Sequence, residues 1–291
     1  MHKYLRSIGL GEYRNRQQME RLGEAVLEAP GWQDSIAENG DTRAYVARMF
    51  GPGFGVMLSG DWDPDKRVFH QEIIYPFLIG DRVTVNSCMS VQRLTDRDAY
   101  NGMCEEGDMG LSLIFSVQNV PEIRRAALPP YFDKALPVSM AALSDTGKIL
   151  LPTIYTGKET EKDAEGKEKD RRALMEKARG GDERAIEILT MEDMDLYASI
   201  SGRLRDEDIY SIVETSFMPC GMESDQYTVV AEILDAQRFV NELSGKGVWQ
   251  MTIACKDLVF PVIIAEEDLL GEPAPGRRFK GDLWLQGRIH V

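Results

Sequence analysis

The chain reads as an α+β protein: two similar β-rich modules with mixed or antiparallel sheets and a helical insertion between them. Three observations carry this. Residues 157–187 hold 19 charged side chains in 31, a density without parallel elsewhere in the chain. The segments on either side are apolar, punctuated by Gly, and alternate with the period of two that belongs to strands. The two flanks also partly repeat each other. The domain division that follows is 1–156, an N-terminal α+β module, and 157–291, the helical insertion plus a C-terminal α+β module.

In chain order, Met19, Leu22, Val26 and Leu27 recur at helical spacing, and Pro30-Gly31 stops that helix. Residues 42–77 read as strands, with GPGFG (51–55) as a strand-connecting turn and a stretch rich in β-branched and aromatic residues from Val68 to Gly80. Arg82 to Leu94 reads as another strand. Asp96, a good N-cap residue, opens an expected helix to Glu106. Leu111, Leu113, Phe115 and Val117 then alternate as a strand. A loop with a short helix follows over 121–135. A β-hairpin is expected to turn at Asp145-Thr146-Gly147-Lys148, between Val138–Leu143 and Ile149–Tyr155.

Past the charged stretch, Thr190 to Asp193 resembles a capping box, and a helix is expected from Met191 to about Leu204. Strands return at 209–217 and 227–234. Asp235 opens an expected helix through Asn241, closed by Gly245-Lys-Gly247. Residues 249–255 alternate. The continuous apolar run Val259–Ala265 reads as a strand buried on both faces. Phe279, Leu283, Leu285 and Ile289 mark a closing strand, kinked at Gly287. The internal echo pairs Phe77–Val117 with Phe217–Cys255: Asp96 with Asp235, Tyr100 with Phe239, Leu113 with Met251, Phe115 with Ile253. LPVSMAAL (136–143) then corresponds to FPVIIAEE (260–267).

The net charge of −14 is uneven: −4 over 1–156, −1 over 157–187 and −9 over 188–291. An acidic surface repels phosphate backbones, so nucleic acid is excluded as a partner. No run approaches the ~18 apolar residues of a membrane span, and the N-terminus lacks the apolar core of a signal peptide. Cys88, Cys104, Cys220 and Cys255 form no C-x-x-C pair. The expectation is a cytoplasmic protein with reduced, buried thiols and no membrane association.

The sharpest chemical pattern is Asp61, Asp63, Asp65 and Glu72. Carboxylates at loop positions one, three, five and twelve surround a hard cation in an EF-hand. Lys66 stands where the sharp turn needs Gly, Pro64 restricts the loop, and the flanks read as strands. A solvated β-turn is the stronger reading, with these four as the one metal candidate. Gly51, Gly53 and Gly55 lack the spacing of a phosphate loop, and Ile149 stands where a Gly-Lys phosphate loop needs Ser or Thr. His2, His70 and His290 could share a metal only if both chain ends met at His70. No hydrolase elbow is present, and the acidic neighbours of Cys104 oppose its activation. LMEKARGGDERAIEIL (174–189) is similar to the first helical hairpin of sigma-type transcription factors. No basic recognition helix accompanies it, so it reads as a helix–turn–helix pair without DNA function.

MHKYLRSIG, TMEDMDLYASISGRL, DIYSIVETSFMPCGMESDQYTVVAEILD and DLLGEPAPGRRFKGDLWLQGRI together resemble an uncharacterised (domain of unknown function) family of cytosolic proteins from Clostridia-type bacteria. The resemblance spans the chain and is strongest after residue 190. It implies a bacterial cytosolic origin and one protein rather than two joined halves. It carries no catalytic or cofactor-binding residues.

The functional expectation is a cytosolic, non-enzymatic binding or adaptor protein, without cofactor, with an unknown protein partner or self-association. Trp249, Phe279 and Trp284 are its aromatic candidates for contact or core. The alternative is a divalent-metal-dependent enzyme built on Asp61, Asp63 and Glu72; whether the chain is an enzyme stays open at this point. Within 157–187, Asp163/Lys167, Glu165/Lys169 and Glu168/Arg172 at i, i+4 support helix. The segment thus divides into a mobile loop, from 157 to about 168, and a helical hairpin. Limited proteolysis is expected to cut first between Gly157 and Lys169; first cleavage at Gly180-Gly181 would reverse that division.

Overall fold

The computed structural model describes residues 3–38, 41–94, 99–106, 111–127, 131–151, 215–221 and 224–291, with Lys177, Asp182, Arg184 and Ala185. The chain divides into two compact units, residues 1–150 with 215–291, and residues 151–214. In the second unit Lys177, Arg184 and Ala185 are helical. Asp182 Oδ1 accepts from the backbone N–H groups of Arg184 and Ala185, as a helix N-cap does. The rest of the charged stretch, the expected capping box at Thr190 and the helix to Leu204 lie outside the described residues.

The first unit opens with a 3-10 turn, Lys3–Ile8, and helix α1, Arg16–Glu28. Asn15 and Gln18 form a reciprocal capping box at the start of α1, which fixes where the helix begins. Four strands follow: β1 (Trp32–Glu38), β2 (Asp41–Gly51), β3 (Phe54–Asp63) and β4 (Val68–Leu78), an antiparallel meander in sequence order. The large sheet holds β5 (Val85–Arg93), β6 (Tyr100–Glu106), β7 (Leu111–Val117), then helix α2 (Val120–Ala126) and β8 (Tyr131–Leu150). It continues with β9 (Ser216–Pro219), β10 (Gln226–Val240), β11 (Gly247–Cys255), β12 (Leu258–Ala265), the two-residue β13 (Leu269–Leu270) and β14 (Arg278–Ile289).

β8 and β14 form a central antiparallel ladder. The meander β5–β6–β7 runs from β8, which β5 joins antiparallel, to β14, which β7 joins in parallel. The meander β10–β11–β12 runs from β14, which β10 joins antiparallel, to β8, which β12 joins in parallel. Each meander therefore closes a five-stranded ring of paired strands across the same two central strands. The fold is mostly β, with mixed and antiparallel pairing and few helices among the described residues.

Three expected elements are corrected. Residues 100–106 are strand, not the end of a helix from Asp96; positions 95–98 lie outside the described residues. Tyr100 and Cys104 are four apart, a spacing that fits a helix face and a strand face equally, and pairing with β5 and β7 decides for strand. Residues 235–240 likewise continue β10, with a bulge between Ile233 and Asp235, because β11 pairs along them. The expected hairpin at Asp145–Lys148 is a bulge instead. Asp282 pairs with Thr146 and Leu283 with Ser144, so Asp145 is the extra residue and β8 runs on. That single insertion shifts the alternation, so Gly147 and Ile149 continue the face begun by Val138, Met140 and Ala142. The echo as aligned rests on two helices, and residues 100–106 of the first and 235–240 of the second are strand.

One Phe in each ring sits over two glycines. A Cβ on Gly102 or Gly287 would overlap the Phe115 ring, and one on Gly147 or Gly281 would overlap Phe279. Gly287, expected to kink β14, stays in register opposite Met140. The other face of the ladder, with Ala141, Leu143 and Trp284, joins Ile263, the 3-10 turn, Leu22 and Val26 of α1, and Phe54, Val56 and Leu58 of β3 in a second apolar cluster. Gly287→Ala is expected to destabilise the fold by about 1–3 kcal/mol through overpacking, and Phe115→Leu on that background to recover part of the loss. Urea denaturation of the single and double variants checks this; additive losses would overturn it.

Candidate functional site

Asp61, Asp63, Asp65 and Glu72 lie on the hairpin that joins β3 to β4. Asp63 Oδ1 accepts from the backbone N–H groups of Asp65 and Lys66, and Lys66 Nζ lies 3.0 Å from its other oxygen. The carboxylate thus closes the turn, and Arg67 takes the left-handed conformation that completes it (φ 54°). Glu72 is the extra residue of a bulge opposite Ser59 and Gly60. Its carboxylate lies 2.6 Å from Arg43, whose other nitrogen lies 2.9 Å from Asp61. Arg43 is only 13% exposed, against 54% and 47% for the two acids, so a guanidinium fills the space a cation would take. Among the described residues, no cluster of three or more His, Cys, Asp or Glu is placed to hold a metal ion.

The other sequence candidates are dispersed. Gly53 sits in the β2–β3 turn with φ 76°. Gly147-Lys148 lies within β8. His70 pairs across from Asp61 in the small sheet, while His290 bonds Ser139 Oγ at the end of β14. His2 lies outside the described residues. None of the four cysteines is in a disulfide; Cys104 and Cys255 are buried as expected, but Cys88 and Cys220 are exposed. Burial raises the Cys255 thiol pKa, the opposite of activation. Phe279 is fully buried and Trp284 nearly so, which removes both as anchors for a protein partner.

The residues that do converge were not singled out by any local motif. A pocket of 380 Å³ opens where the 3-10 turn, β4, β6, β7 and the first residues of β10 meet. Its aromatic walls are Tyr4, Tyr75, Tyr100 and Trp284, and Asp225 and Gln226 supply polar groups. Tyr4 and Trp284 stack with ring centroids 5.5 Å apart and planes 19° from parallel. Trp284 Nε1 donates to Asp225 Oδ2 at 2.7 Å. The backbone of Asp225 is itself fixed, since its carbonyl accepts from Leu285 N–H at 2.8 Å. Sequence pairing explains the placement: Gln226 stands opposite Trp284 in the β10–β14 register, so Asp225 arrives beside the indole.

The electrostatics are one-sided. Burial pushes the Asp225 carboxyl above the ordinary aspartate value, and the Trp284 hydrogen bond only partly offsets this. Tyr4 is raised too, first by burial and then by Asp145, Asp225 and Asp282. Tyr227, next to Gln226, is pushed up to about 12, mainly by burial, while its hydroxyl bonds both backbone groups of Ile114.

Residues 5–287 match the family described as "Domain of unknown function, E. rectale Gene description (DUF3881)". The chain belongs to this family. No curated protein matches it, and no solved structure does. Every residue of the pocket except Lys3 and Tyr4 lies within the span of DUF3881.

The Asp225 shift fixes the sign of a pH effect. A carboxyl whose folded pKa is raised binds its proton more tightly folded than unfolded. Its ionisation therefore opposes folding, and the loss of stability sets in as pH rises from the unfolded value of 3.8 through the raised folded value. Asp225→Asn keeps an acceptor for Trp284 and removes the partly desolvated charge. The variant is expected to be more stable than wild type near about pH 8 and to converge with it towards about pH 3. Urea denaturation at both pH values checks this, and a variant less stable at the higher pH would overturn it.

Proposed function

We propose that this chain is a binding protein whose ligand site is the aromatic pocket around Tyr4, Tyr75, Tyr100 and Trp284. The observation that carries the reading is the held carboxylate of Asp225, desolvated beside an indole at the wall of a concave, largely apolar cavity. Concave apolar sites with a few fixed polar groups are where small ligands bind. A half-buried charge that opposes folding is the kind of feature retained for function at a cost in stability. The metal-dependent alternative has a guanidinium where its cation would sit. The exposed Cys88 and Cys220, neither of them in a disulfide, support a reducing, cytoplasmic setting. No helix among the described residues is long and apolar enough to cross a membrane.

The internal repeat belongs to the same proposal, in a different register from the echo. β5, β6, β7 and β8 correspond to β10, β11, β12 and β14, because each set is a three-stranded meander followed by a central strand. The first strand of each set is antiparallel to the central strand of its own set, and the third is parallel to the central strand of the other. The pocket then lies at the first ring, roofed by β4 and the 3-10 turn, which have no counterpart among the described residues of the second half. Self-association or a protein partner remains part of the proposal at surfaces away from this cavity.

A thermal-shift screen against a panel of small metabolites tests the reading. A true ligand at about a hundred times its Kd is expected to raise Tm on the order of 5 °C, and Tyr100→Ala to abolish the shift. A panel without effect on wild type, or shifts unchanged in the Tyr100→Ala variant, would overturn it.

A further inference from the structure

We propose that the pocket recognises an organic cation: a compact alkylammonium group that lies against the tyrosine and indole rings and pairs with Asp225. This rests on the reading of the pocket as a ligand site and names what it takes.

Three features converge on the charge of the ligand. Four aromatic side chains line one small cavity, and aromatic faces attract cations through their quadrupoles, most strongly where water is excluded. Asp225 is the acidic group of that lining, and among the described residues no basic side chain pairs with it; its side chain is held by a neutral donor, the Trp284 N–H. One carboxylate oxygen is thus fixed in place, while among the described residues no side chain compensates the carboxylate charge. The field at the wall has the matching sign, since Asp145, Asp225 and Asp282 all act on Tyr4 as negative charges.

The chain already places one cation against this surface. Lys3 Nζ lies 4.5 Å from the centroid of the Tyr4 ring and 3.4 Å from Asp145. That lysine is 54% exposed and sits at the rim, where its charge is balanced by Asp145. Among the described residues, Asp225 has no such counter-charge. A neutral or anionic ligand would cover the half-buried Asp225 without supplying a counter-charge, which costs more the drier the site becomes. A cation removes that penalty on binding, and a small quaternary or alkylammonium group fits a cavity of this volume with room for a short substituent.

Choline and its neutral isostere 3,3-dimethylbutan-1-ol have nearly the same shape and differ in charge. Calorimetric titration of the full chain with each, at matched ionic strength, tests the inference. Choline is expected to bind at least about tenfold more tightly than the neutral alcohol, and Asp225→Asn to erase most of that difference. Asp225→Asn keeps the Trp284 hydrogen bond and removes a charge that opposes folding, so a folded variant is expected; its thermal transition is recorded alongside. Equal binding of the two probes, or choline binding unchanged by Asp225→Asn, would overturn the cation inference. If both bind equally and Tyr100→Ala weakens both, the pocket stands as a ligand site and only its charge preference falls. If neither binds at about 10 mM and the metabolite panel also fails, both readings fall together.

Discussion

Twelve register pairs join β8 to β14, from Arg278 opposite Leu150 to Ile289 opposite Val138, and every other strand of the large sheet reaches its place through an edge of this ladder. The constraint is visible in burial. Residues 138–144 of β8 and 283–287 of β14 are all buried, on both faces. One face looks into the rings and the other meets the 3-10 turn, α1 and the small sheet. A strand covered on both sides must be apolar throughout or have its polar groups paired. Ring closure also consumes strand edges, which would otherwise present unpaired N–H and C=O groups for misassembly.

The polar groups that remain inside are used as pins. Gln286 is 1% exposed; its Oε1 accepts from Leu78 N–H and Gln118 Nε2, and its Nε2 donates to Pro76 O. The end of β4 is thereby locked to β14. Asn119 pairs with both backbone groups of Ile289, fixing α2 to the same strand. Asn241 closes the turn after β10 through the N–H groups of Leu243 and Ser244, and its Nδ2 reaches Ile8 O at the end of the 3-10 turn. Each pin joins segments distant in sequence, and each is costly to break because its partners are buried with it. Their combined effect is to hold the walls of the pocket, which come from seven separate elements, in one arrangement.

The pocket itself is where the fold accepts an unfavourable charge. Gln286, Asn119 and Asn241 are neutral and satisfied, as buried polar groups ordinarily are. Asp225 is desolvated and supported by a neutral donor. The difference marks it out from the structural polar groups of the same unit.

The sequence by itself determined the strand-rich character of the chain, the helix around Leu22 and Val26, the alternation of β7 and β11, the doubly buried β12 and the family. These are local properties, set by side-chain period and punctuation. It also made plain that Asp61–Glu72 spans a turn between strands, since Pro64 and Lys66 contradict a cation loop. Local pattern misjudged residues 100–106, 235–240 and 145–148 for one reason. An i, i+4 spacing, an Asp or a Gly-Lys step is compatible with a helix, a bulge or a turn, and only the neighbouring strand decides which one forms. The pocket was still less legible. Tyr4, Tyr75, Tyr100, Asp225 and Trp284 share no spacing; the β10–β14 register and the ladder that anchors it bring them together. Side-chain period is a property of neighbours along the chain, whereas a site of this kind is a property of pairing across it, and pairing is settled only when the core closes.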